Sequence, residues 1–208
     1  MIEARHHKQY EQFFKWYLNR ILKKNFHQVK YLDCGYSRQS APTLVIGNHF
    51  SWWDGFWMLE LNRKKLQKKF HILMLDEQLK PRMFLNKLGA AGITKNSRDI
   101  ITMLEYCSKL MHDPENILFF FPEGEIRPQN QNKLHFEKGI MRIIERSPDY
   151  LQLMFVVNLT EYFSHKKPTL FSFYKSIEAK SFSDIRAMED AYSSFLAECK
   201  NQLKLYNV

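Results

Sequence analysis

Between Gln9 and Asn25 the apolar residues Phe13, Tyr17 and Ile21 recur every four positions beside a second row, Phe14, Leu18 and Leu22. That spacing predicts an amphipathic helix with a basic opposite face. Downstream the period changes. Thr43-Leu44-Val45-Ile46-Gly47 is a short β-branched run closed by glycine, and Phe70–Leu75, Asn116–Phe121, Leu151–Val157 and Leu170–Ile177 are further apolar runs. Strands buried on both faces read this way. Helical patterns separate them: Trp52 to Asn62, Leu79 to Leu88, Arg98 to His112, Gly139 to Arg146, and Ser183 to Leu205. In the third, Ile100, Ile101, Leu104, Cys107, Leu110 and Met111 make one apolar face. Arg63, Lys64, Lys65, Lys68 and Lys69 read as a basic linker, and Gly89 to Ser97 as a small, polar connection. Strands alternating with helices predict an α/β fold, a largely parallel or mixed central sheet flanked by helices. The expected division is an N-terminal amphipathic region over 1–40 and one domain over 41–208.

The chain has 208 residues, the size of one globular domain. With 45% hydrophobic and 15% aromatic residues but only 7 Gly and 7 Pro, disordered and low-complexity classes are excluded. Cys34, Cys107 and Cys199 are too few and too scattered for a disulfide framework or a CxxC metal site, which suits a reducing compartment. The histidines outside the cluster below lack ligand spacing, so neither metal nor cofactor is expected. No leader pattern opens the chain, and no apolar run approaches the roughly 20 residues of a spanning helix.

Charge changes the picture more. A formal net charge of +9 implies an anionic partner: nucleic acid, a phospholipid surface or an acidic carrier protein. The first forty residues interleave Arg5, Lys8, Lys15, Arg20, Lys23, Lys24, Lys30 and Arg38 with bulky apolar side chains. An interfacial membrane helix has that composition, and so does a helix packed on its own domain. No nucleic-acid-binding module is present, so nucleic acid is not the expected partner.

Two clusters carry candidate chemistry. In Asn48-His49-Phe50-Ser51-Trp52-Trp53-Asp54, His49 follows a buried strand and Asp54 sits in the first turn of the next helix, where the pair can face one another. A carboxylate on one imidazole nitrogen fixes the tautomer and makes the other nitrogen a better base. The alternative is a helix cap beside a loop histidine; Ser51-x-x-Asp54 has the form of a capping box. No Ser or Cys in this stretch completes a triad, so the chemistry suited to it is removal of a proton from a substrate's own hydroxyl. The second cluster, Phe121-Pro122-Glu123-Gly124-Glu125-Ile126-Arg127, also follows a buried strand. Gly124 permits a tight turn, and Glu123 and Arg127 would emerge beside the first cluster.

In this order the clusters resemble the glycerolipid O-acyltransferase superfamily, the PlsC-like 1-acylglycerol-3-phosphate and lysophospholipid acyltransferases. The motif Asn-His-x-Ser-x-x-Asp is met at Asn48, His49, Ser51 and Asp54, Phe-Pro-Glu-Gly at Phe121 to Gly124, and Phe-x-Lys-Gly at Phe136 to Gly139. The resemblance spans roughly residues 42 to 160. It implies an acyltransferase domain in which His49 is the general base and Asp54 orients it. It assigns Asn48, Ser51, Lys95, Arg98, Glu123, Gly124 and Arg127 to substrate binding, with oxyanion donors near Gly124. It implies direct transfer from acyl-CoA or acyl carrier protein to the hydroxyl of a lyso-lipid such as 1-acylglycerol-3-phosphate, at the cytoplasmic face of an anionic membrane. The family's second-motif Arg is replaced here by Lys95, with Arg98 three residues on, and its Thr-Arg after Phe-Pro-Glu-Gly by Glu125-Ile126-Arg127. Both departures weaken a phosphate clamp, because Lys is a point charge where Arg is a planar fork. A non-phosphate acceptor therefore stays open, as does water, which would make the chain a thioesterase or lipid hydrolase. A third alternative is a non-enzymatic basic binding protein.

Overall fold

The continuous apolar runs lie side by side in the centre of one sheet. The computed structural model describes residues 1–37, 40–94, 97–137 and 139–206, without the side chains of Ser97, Arg98, Asp99 and Lys180. Seven strands, β1 (Gln28–Asp33), β2 (Thr43–Gly47), β3 (Lys69–Leu75), β4 (Ala90–Ile93), β5 (Asn116–Phe120), β6 (Gln152–Glu161) and β7 (Thr169–Glu178), stand in the order β1-β7-β6-β2-β5-β3-β4. Strands β2 to β6 are mutually parallel, while β7 runs antiparallel to β6 and carries β1 parallel to itself. The expected α/β fold with a largely parallel, mixed sheet is the one found.

Strand β2 explains the continuous pattern. Its side chains alternate between two cores: Leu44 and Ile46 face one, Val45 the other. On the Val45 side pack α1 (Lys8–Asn25) and α2 (Asp54–Leu61), through Phe14, Leu18, Leu22, Phe56 and Trp57. On the other pack α4 (Ser97–Leu110), α5 (Gly139–Glu145) and α6 (Ile185–Lys204), through Leu104, Cys107, Ile140, Ile143 and Tyr192. A one-turn helix α3 (Asp76–Leu79) follows β3. Register sets the functional edge. Ile46 pairs with both Phe120 and Phe155, so the chain leaves β2 and β5 side by side at their C-terminal ends.

Several local expectations change. Gln28–Asp33, which carries no apolar run, is a strand, because an edge position needs only partial burial. The stretch from Gly89 contains β4, three small residues and Ile93, held between β3 and a bridge to Ile2. The helix expected over Leu79 to Leu88 is broken into α3 and two 3₁₀ turns, Lys80–Arg82 and Asn86–Leu88, with Pro81 in the first. The basic run is no linker: Asn62–Leu66 continues α2 as a π turn, and Lys68 Nζ donates to Ala41 O and Pro114 O, both at 2.6 Å. In α4 the expected apolar face is only partly core, since Ile100 and Ile101 are exposed. Of the two rows on α1, Phe14, Leu18 and Leu22 are buried; in the other, Phe13 and Tyr17 stand 62% and 42% exposed while Ile21 is half-buried against the core, and Trp16 beside them is 58% exposed. Among the described residues no helix is long and apolar enough to cross a membrane.

Candidate active site

Residues 48–53 leave β2 as a tight loop and enter α2, and Asp54 is the residue that shapes it. Its Oδ2 accepts from the backbone amides of Phe50 and Ser51, both at 2.8 Å, and from His49 Nδ1 at 2.7 Å. The expected capping box is half present: the carboxylate reaches back to the Ser51 amide, but Ser51 Oγ accepts from Trp53 N at 3.2 Å instead of from Asp54 N. Oδ2 accepts two amide protons and is therefore an acceptor toward the ring as well. Nδ1 must carry the proton, so the neutral ring presents its lone pair at Nε2. Among the described residues Nε2 has no hydrogen-bond partner, and the side chain is 22% exposed.

Asp54 is fully buried, and burial pushes its carboxyl above the ordinary range. The hydrogen bond from His49 and the amides of Ser51 and Phe50 oppose that push, in that order. Two contacts fix the imidazole from other sides. Its ring stacks on Phe121 at a centroid distance of 4.4 Å, and His49 O accepts from Arg127 N at 2.8 Å. The second motif thus supports the first.

The remaining assigned residues fall into three groups. Asn48 is an anchor: its Nδ2 donates to Asn158 O at 2.8 Å and its Oδ1 accepts from Asn158 N at 2.9 Å, pinning the loop to β6. Beneath it, Tyr192 O–H donates to Val156 O at 2.6 Å. Glu123, Gly124 and Arg127 reach the same edge as His49. Gly124 turns the chain at φ +67°, and its N–H donates to Phe121 O at 3.1 Å, so that amide belongs to the turn. Arg127 pairs with Glu125, both half-exposed, which neutralises the displaced arginine. Lys95 lies outside the described residues, and of Arg98 only its place in α4 is described. Sequence reading missed Asn158 and Gln131. The apolar run that predicts β6 stops at Val157, and that Asn158 is buried is visible only in the fold.

Gln131 Nε2 donates to Glu123 Oε1 at 2.6 Å, while Glu123 Oε2 is buried without a partner among the described residues. Burial raises the Glu123 pKa, opposed by Gln131, the His49 backbone and Arg127. A carboxylate with a raised folded-state pKa favours the fold below its unfolded pKa and loses that contribution as pH rises through the folded value. Glu123→Gln is therefore expected to melt above the parent at pH 8, with the gap closing as pH falls; equal melting temperatures at pH 8 would mean a well-solvated carboxylate. From Glu123 a groove of 690 Å³ opens toward α4 and α5, past Ile100, Leu104, Gln131, Phe136 and Arg142. His49 does not itself line this groove, which begins at its neighbours Glu123 and Arg127; a base at the sheet edge whose Nε2 lacks a partner among the described residues can remove a proton from a hydroxyl bound beside it.

The family model described as Acyltransferase matches residues 28–157. Among solved structures, that of the 1-acyl-sn-glycerophosphate (LPA) acyltransferase PlsC from Thermotoga maritima is similar over 96% of this chain and 80% of that chain. Its TM-score is 0.61 at 16% identity, a likeness of fold. No curated protein sequence matches the chain.

Proposed function

Because the chain belongs to the acyltransferase family, we propose that it moves a fatty acyl group from an acyl thioester, acyl-CoA or acyl carrier protein, to a lyso-lipid hydroxyl. The observation that carries this reading is the His49 Nδ1 to Asp54 Oδ2 contact at 2.7 Å, with no partner on Nε2 among the described residues. Nε2 takes the proton of the acceptor hydroxyl as that oxygen attacks the thioester carbonyl. The tetrahedral intermediate expels the thiolate, which takes up the proton, giving ester and free thiol. Asp54 holds the ring in its working tautomer and stabilises the imidazolium formed in transit. Bringing acceptor and thioester together at the sheet edge removes the entropy of a bimolecular encounter. The enzyme works at a membrane surface as a peripheral protein, with the basic, aromatic exposed side of α1 toward anionic lipid.

A mass-spectrometric assay of the purified protein with both donor types and a panel of lyso-lipids tests the reading, run beside His49→Ala. A diacyl product dependent on His49 supports it and identifies the acceptor; His49-dependent release of free fatty acid alone would replace it with a hydrolase. The Glu125–Arg127 pair makes a narrower prediction. Glu125→Gln frees the guanidinium, so kcat/KM for 1-acylglycerol-3-phosphate should rise several-fold while that for an uncharged acceptor stays level. No change in the ratio would remove Arg127 from acceptor recognition.

A further inference from the structure

A second concentration of charge lies at the same sheet edge and takes no part in the chemistry above. Gly47 at the end of β2 pairs with Val156, but β6 continues to Glu161. At about 3.3 Å per residue, the β6–β7 hairpin therefore carries residues 162–168 roughly 16 Å past the end of β2. There it meets the C-terminal end of α1. Between them is a shallow depression of 320 Å³ lined by Lys23, Phe26, His27, His165, Lys166 and Lys167.

Apart from Phe26 every lining residue is a base, and among the described residues no carboxylate lines it. Among the described residues no acidic side chain forms an ion pair with Lys23, Lys166 or Lys167. Backbone and rings fix the two walls to one another: His27 N donates to Pro168 O at 2.8 Å, and the His27 and His165 rings stack at 3.6 Å. Phe26 packs edge-on against Trp53 and Trp57, at 5.3 and 5.5 Å, so this depression and the His49 loop share an aromatic wall. Tyr162 and Phe163 on the hairpin are 57% and 38% exposed.

We propose that this depression binds the phosphate of an anionic phospholipid in the bilayer surface, holding the edge that carries His49 against the lipid. Clustered lysines beside exposed aromatic rings are the composition of such an interface. A dissolved phosphate would account for the bases but not for Tyr162, Phe163 and the exposed row of α1. The inference deepens the proposed function, on which it rests only for the use made of the docked edge.

The test is flotation of the full chain with phosphatidylcholine vesicles, with and without phosphatidylglycerol. The double variant Lys166→Glu, Lys167→Glu alters exposed side chains alone. It is expected to reduce partitioning onto phosphatidylglycerol vesicles by roughly tenfold or more, and to leave turnover of a monomeric short-chain acceptor unchanged. Lys64→Glu, Lys65→Glu reverses as much charge elsewhere and should reduce partitioning far less. An equal loss from both pairs would reduce the effect to overall charge and overturn the site, as would no loss from the first. Release of the protein from vesicles by micromolar coenzyme A would reassign the depression to the donor and overturn it too. Docking through this site by a protein that acylates nothing would instead sink the catalytic reading and leave the lipid site standing.

Discussion

Replacing His49 by Ala is expected to slow acyl transfer by about 10²- to 10⁴-fold, the range that a positioned general base contributes. The fold should tolerate the change. The imidazole is partly exposed, its hydrogen bond is to a carboxylate that keeps the Phe50 and Ser51 amides, and its main packing is one face against Phe121. Positioning of donor and acceptor survives, so a residual rate above the uncatalysed one remains, and KM should move less than kcat. Asp54→Asn separates the two roles of the carboxylate. The amide oxygen can still accept from the two backbone amides and from Nδ1, which preserves the tautomer, but the charge that stabilises the imidazolium is gone. Its rate is expected to fall between those of the parent and His49→Ala. Steady-state kinetics on the three proteins with one donor and one acceptor would check the ranking. His49→Ala at parental kcat would remove this residue from the chemistry.

The pairing of His49 with Asp54 was legible because everything that makes it lies within one short stretch, Gly47 to Asp54: a strand end, a loop, and a carboxylate in the first helical turn. Its support was not. Asn48 is held by Asn158 across 110 positions of sequence, and no local pattern announces such a bond. The central strands were legible because β2, β5 and β6 are covered on both faces and so carry unbroken apolar runs. Edge strands β1 and β4 escaped for the converse reason. One is half-solvated with Lys30 at its middle, and the other is Ala-Ala-Gly-Ile, too small to show a period. On α1 the two apolar rows looked equivalent, and only packing into the core that also holds Val45, Met154 and Leu170 decides that Phe14, Leu18 and Leu22 are buried. The same ambiguity misplaced Ile100, which lines the groove beside Glu123.

Trp57 is where loss of packing should cost the fold most while reaching the site. It is 2% exposed, one helical turn after Asp54, and wedged between Phe26 and Phe50 at 5.5 Å from each. Trp57→Ala leaves a cavity under the first turn of α2, and the expected loss is about 3–5 kcal/mol. For a chain of this length that lowers the melting temperature by roughly 6–20 °C. Trp57→Phe should behave quite differently. Among the described residues the buried indole Nε1 has no hydrogen-bond partner, so the native residue already carries the penalty of an unsatisfied donor, about 1–3 kcal/mol. Phenylalanine removes that donor while giving up part of the ring contact, so the two effects oppose and the net change should stay under about 1.5 kcal/mol. Thermal unfolding of the parent and both variants resolves this. If Phe is as damaging as Ala, the indole N–H has a partner that holds it; if Ala melts within a degree or two of the parent, the aromatic wall does not fix α2. Because Asp54 sits on that helix, the Ala variant should also lose activity at temperatures where it remains folded, whereas the Phe variant should keep it.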